Sequence, residues 1–130
     1  MDNKSYVELD VWKKARALAN AIFVLTKQFP KEELYGITSQ IRRSSVSIPS
    51  NIAEGCGRST PKDSIRFFYI SRGSLYELET QLYLSYDQNY ITELDLNKSL
   101  EMILDCKKLL NGFIRYYEKL NELTESSAKN

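Results

Sequence analysis

Apolar side chains recur along this chain at alternating spacings of three and four residues, the period of helices buried along one stripe. The first periodic segment runs from Asp10 to Gln28, with Val11, Ala15, Leu18, Ile22 and Leu25 in phase and Trp12 and Phe23 widening the face. Phe29-Pro30 ends it, because a residue before proline is pushed out of the helical region. A second helix is expected to open directly after Pro30, where Glu32 and Glu33 suit the positive end of a helix dipole, and to reach Gly55 or Gly57. Ile37, Ile41, Ile48 and Ile52 share one of its faces. Pro49 lies inside this run, and an interior proline costs about 3 kcal/mol or more. The isoleucine phase nevertheless crosses Pro49 without a slip. That predicts a kinked but continuous helix, with Ser44, Ser45 and Ser47 available to the freed carbonyls.

The stretch GCGRSTP, from Gly55 to Pro61, reads as a turn. Thr60 as N-cap, Pro61 at the first helical position and Asp63 behind them form a strong start signal. Ile65, Phe68, Leu75, Leu82 and Tyr86, broadened by Phe67 and Leu78, predict a third helix to about Tyr86. Asp87-Gln88-Asn89 turns the chain, and Thr92 with Asp95 repeats the capping pattern. Leu96, Leu100, Ile103, Leu110, Ile114 and Tyr117 make the stripe of a fourth helix. Four long helices with short loops predict an all-α fold, an antiparallel up-down-up-down four-helix bundle over residues 1–121. The polar residues 122–130 are expected to fray.

Composition narrows the chemistry. The chain has 130 residues, enough for one core without staples, and eighteen basic against seventeen acidic residues leave a net charge of +1. There is no histidine, so catalytic triads and His-ligated zinc are excluded within this chain. Cys56 and Cys106 stand far apart without CxxC spacing, which argues against a disulfide framework or a thiolate metal site. No metal and no cofactor are expected. The N-terminal stretch lacks an apolar segment and no run of about 18 apolar residues occurs. The expected setting is the reducing cytoplasm, with no membrane partner.

Two polar features invite a functional reading. Gln40, Arg43, Ser47, Asn51 and Glu54 form a stripe of their own, about 110° around the second helix from the isoleucines. Val46 and Ala53 take much of the opposite side, so the stripe is either a solvated flank or a polar network within or between subunits. Its candidate partners on the third helix are Arg72, Glu77, Glu79 and Gln81. Charge is also uneven: the balance is +1 over residues 1–35, +4 over 36–75 and −4 over 76–130. Arg42, Arg43, Arg58, Lys62 and Arg66 are the candidate nucleic-acid-binding residues. Arg58 and Lys62 flank the exposed N–H groups of a helix start, where phosphate can sit. The alternative is that these cations pair with acidic groups of the bundle or of a neighbouring subunit.

The string YGITSQIRRSSVSIPSNIAEGCGR, from Tyr35 to Arg58, closely resembles the signature of the bacterial four-helix bundle proteins known as 23S rRNA intervening-sequence proteins. The likeness continues through LDVWKKARALA (Leu9–Ala19), LTKQFPKEE (Leu25–Glu33), FFYISRGSLYELETQLYLS (Phe67–Ser85) and Tyr90-Ile91. Ser44 and Ser71 stand where alanine is usual, and Cys56 where an aromatic is common. The resemblance implies a left-handed bundle assembling as a homopentameric ring. A related branch, the accessory variability proteins of diversity-generating retroelements, partners a reverse transcriptase and has a basic surface suited to nucleic acid. Arg42, Arg43, Arg58 and Arg72 carry over as motif positions, without an established binding role.

An enzyme is the least supported class. Glu54, Glu77, Glu79, Ser47 and Cys56 have no histidine partner, and Glu77 and Glu79, two apart on a helix, point in different directions. Of nine tyrosines, Tyr69, Tyr76, Tyr83 and Tyr86 fall on one helix. Tyrosine buries ring area while its hydroxyl stays wet, which suits interfaces. The expectation is a non-enzymatic homo-oligomeric scaffold or adaptor, a pentamer, associated with RNA or DNA. The alternative is a purely protein-binding scaffold.

Overall fold

The computed structural model describes residues 5–129. A 3-10 turn at Tyr6–Glu8 leads into helix α1, Asp10–Thr26, which buries Val11, Ala15, Leu18 and Ile22 as the periodicity predicts. It stops two residues before the expected Gln28. The Thr26 hydroxyl turns back onto the carbonyls of Ile22 and Phe23, at 2.8 and 3.2 Å, and the chain then descends to Pro30.

The second helix does not open after Pro30. Lys31–Glu33 makes only a 3-10 turn, and α2 spans Ile37–Cys56 with Gly36 as its N-cap residue. Residues 31–36 carry no apolar phase that would hold them against the core, and Leu34 and Tyr35 are exposed. The Glu33 carboxylate accepts a hydrogen bond from the Tyr90 hydroxyl at 2.7 Å, tying this connection to the α3–α4 turn at the same end of the bundle. Across Pro49 the helix is continuous. The serines have other partners: Ser45 Oγ donates to the Arg42 carbonyl at 2.9 Å, and Ser47 Oγ accepts from Asn51 Nδ2.

Helix α3, Pro61–Asp87, begins as predicted, with Thr60 Oγ1 accepting the Asp63 N–H at 3.2 Å. Asn89 turns the chain with φ of 65°, a left-handed conformation that asparagine tolerates. Thr92 Oγ1 accepts the Asp95 N–H at 3.1 Å, and α4 runs Glu93–Lys129. Helix α4 thus includes 122–129, a stretch without glycine or proline in which Thr124 Oγ1 donates to the Leu120 carbonyl. Tyr86 was placed on the core face by its spacing and is instead exposed. The buried row of α3 ends through Leu78, Leu82 and Ser85, and Tyr86, one residue further round the helix, falls outside it.

Each helix packs against its neighbours in sequence, and α4 closes back on α1. Contacts run in opposite directions along every pair. On α2 and α3, Ser47 meets Ser74, Ile48 meets Ser71 and Gly55 meets Phe68. Between α3 and α4, Tyr69 reaches Glu118, Arg72 reaches Asn111 and Glu79 reaches Lys107. Thr26 of α1 meets Arg42 of α2, and Gln28 meets Asp95 near the start of α4. The result is an antiparallel four-helix bundle. Its axis is filled by Leu18, Ile22, Ile41, Ile48, Ile52, Phe68, Leu75, Leu78, Leu82, Ile103, Leu110 and Ile114. Phe68, Phe113 and Tyr117 pack ring against ring at 4.9 to 5.0 Å at one end.

Candidate functional site

The polar stripe of α2 divides. Gln40, Arg43, Ser44 and Ser47 share a cleft of about 320 Å³ with Glu77 and Gln81 of α3. Ser47 is its hydrogen-bonded centre: Asn51 Nδ2 donates to its carbonyl and its Oγ, both at 2.9 Å, and Ser74 Oγ lies 2.9 Å away. Gln81 is buried, and its Oε1 has no hydrogen-bond partner among the described residues. The remaining members go elsewhere. Glu54 pairs with Arg58 at 2.8 Å. Arg72 donates to Asn111 on α4 at 3.2 Å and lies over the Tyr69 ring, and Glu79 binds Lys107 at 2.9 Å. Glu77 and Glu79 thus face different neighbours, as their spacing predicts.

The five basic candidates do not form one patch. Arg42 turns toward α1, where its Nε donates to Thr26 Oγ1 at 2.9 Å and its guanidinium lies over Phe23. Arg43, one residue on, is rotated about 100° and lines the α2–α3 cleft. Arg58, Lys62 and Arg66 gather at the α2–α3 turn, about 20 Å along the helix from Arg42. There, Arg58 and Arg66 each have a carboxylate at 2.8 Å, Glu54 and Asp63 respectively, and both guanidiniums lie against the Phe67 ring. Lys62 is exposed. Neighbouring carboxylates offset the positive potential that phosphate binding needs.

Two thiols and three phenols are shifted, Tyr117 among them, raised chiefly by burial. Burial pushes the Cys106 thiol up to about 12 and raises Cys56 as well, the opposite of a reactive cysteine. Tyr69 and Tyr90 are raised chiefly by donating to Glu118 and Glu33, so both remain hydrogen-bond donors at neutral pH.

Of two larger surfaces, the first was not legible in the sequence, and the second carries the α3 tyrosines whose chemistry suits an interface. A groove of about 860 Å³ runs between α1 and α2, lined among others by Trp12, Phe23, Val46, Pro49 and Ala53. Phe23 and Val46 are 38% and 44% exposed in it. On the far side, α3 turns Tyr69, Ile70, Tyr76, Tyr83 and Leu84 outward, each 42 to 53% exposed. Tyr69, Gly73, Tyr76, Thr80 and Tyr83 alternate at four and three residues, the spacing of a helix-pairing seam. A side chain at Gly73 would meet nothing within 4 Å.

An all-helical bundle with a filled axis and apolar rows on its outside belongs to the four-helix bundle class. Residues 7–112 match the family described as 23S rRNA-intervening sequence protein, and the chain belongs to that family. It is similar to the crystal structure of a protein of unknown function from the S23 ribosomal protein family of Bacteroides thetaiotaomicron VPI-5482. That likeness has a TM-score of 0.74 and 28% identity over 80% of this chain and 97% of the other. No curated protein matches. Among the described residues no helix is long and apolar enough to cross a membrane.

Proposed function

We propose that this chain is a non-enzymatic, cytoplasmic scaffold that acts as a homo-oligomer, a pentameric ring, and binds protein rather than RNA. The observation that carries this reading is the pair of apolar surfaces left outside a bundle whose core is already complete. Exposed apolar area of this extent on a small helical domain marks an interaction face. The scattered and carboxylate-paired arginines favour the protein-binding alternative over the RNA-associated one. Raised thiols and diverging glutamates support a role without chemistry.

Titrating a structured RNA onto the assembled protein at low and moderate salt tests the choice. The RNA is expected to stay free at both. Tight binding at low salt that weakens steeply at moderate salt is the signature of phosphate contacts, and would return the function to RNA.

A further inference from the structure

We infer that the tyrosine face of α3 on one copy seats in the α1–α2 groove of the next, so that copies join head to tail. The inference rests on the homo-oligomeric reading above and says which surfaces meet.

Shape is the first argument. A groove between two antiparallel helices accepts a third helix, and the α3 face has the relief for it. Tyr69, Tyr76 and Tyr83 are the large exposed side chains of the row, Tyr69 and Tyr76 steadied by Glu118 and Lys107 of α4, with Gly73 and Thr80 as hollows between them. From Tyr69 to Tyr83 the row is about 21 Å long, and from Trp12 to Phe23 the groove wall is about 17 Å, at 1.5 Å per helical residue. The two surfaces are matched in length. The groove floor is aromatic and aliphatic, which suits tyrosine rings whose hydroxyls stay at the rim.

Charge is the second. Residues 10–58, which build the groove half, hold eight basic against four acidic side chains. Residues 61–129, which build the other half, hold nine against eleven. Balances of +4 and −2 attract each other, whereas either half placed against its own copy repels. Arg16 lines the groove beside the Glu54–Arg58 pair, while on α3 Glu79 is held by Lys107 and Glu77 lines the α2–α3 cleft, so the attraction rests on the balance of the two halves and not on these side chains. Guanidiniums also favour tyrosine faces.

Position is the third. Groove and face belong to different helix pairs, so a pair of copies joined this way leaves one groove and one face unfilled. Contacts of this heterologous kind close only as rings or run on as filaments. A twofold dimer would instead match one surface with itself.

Complementation between two variants tests this directly. Val46→Arg blocks the groove and Tyr76→Arg blocks the face. Both positions are about half exposed, so the fold should survive, and circular dichroism checks it. Ala53→Arg and Tyr83→Arg provide a second pair if either fails to fold. By light scattering, each variant alone is expected at the mass of one chain, and their equimolar mixture at two, because each keeps the surface the other lacks. Unsubstituted protein that is monomeric would remove the homo-oligomeric reading itself. Assembled protein in which either variant still assembles alone, or a mixture that yields no two-chain species, would overturn this pairing and leave that reading standing.

Discussion

Helix α2 has two flanks, and they are finished in opposite ways. Toward α3, from Ser47 to Gly55, it closes directly on the neighbouring helix, and only nearer its start do Gln40, Arg43 and Ser44 border a cleft. Ser71 Oγ donates to the Ile48 carbonyl at 2.9 Å, Ser74 meets Ser47, and Gly55 lies against the Phe68 ring and the Ser64 carbonyl. Toward α1 the same helix presents Val46, Pro49 and Ala53 to a groove that is open among the described residues. Close helix approach and satisfied hydroxyls mark a contact completed by folding, and exposed aliphatic and aromatic groups mark one completed by association. One helix therefore separates what stabilises the monomer from what recruits a neighbour.

The α3 flank is the easier to break. A methyl at Gly55 would intrude on the Phe68 ring and fall 2.9 Å from the Ser64 carbonyl, which is backbone and cannot swing away. Overpacking of this kind costs up to about 3 kcal/mol, while glycine to alanine in a helix returns about 1 kcal/mol at most. Gly55→Ala is therefore expected to lose about 2 kcal/mol net, read as a lower urea midpoint at unchanged slope. Wild-type stability would show that the helices can move apart there. Ser71→Ala is the milder probe. It removes one buried hydrogen bond whose acceptor keeps its helical partner, so about 1 kcal/mol is expected in the same experiment. A loss well above that would mean that the Ser71 hydroxyl holds more than one contact.

Much of the fold could be read from local rules, because the strongest signals were local. Thr60, Pro61 and Asp63 start α3 as predicted, and the isoleucine phase through Pro49 correctly implied an unbroken α2. Acidic residues after Pro30 suit a single 3-10 turn as well as a helix start, so the true opening at Ile37 was hidden. Tyr86 follows Leu82 at four residues, but the buried row of α3 steps instead from Leu82 to Ser85, which leaves Tyr86 outside the core face.

The site was less legible for a related reason. Adjacency in sequence is separation on a helix, so Arg42 and Arg43 read as one motif and face different neighbours. Arg58 and Arg66 looked available for phosphate until Glu54 and Asp63 were seen beside them. Arg72 and Glu79 were assigned toward α2 and turn toward α4. The outward seam of α3 was present in the spacing of its tyrosines, but exposure is a property of the packed molecule.

Sedimentation velocity of the unsubstituted chain across a dilution series is the most direct trial of an assembly built on uncovered apolar faces. A single boundary at five times the 15.1 kDa chain mass, holding through the micromolar range and giving way to one chain only on further dilution, is the expected result. A 15.1 kDa particle throughout that range would mean that the groove and the tyrosine face stay in water, contradicting the account.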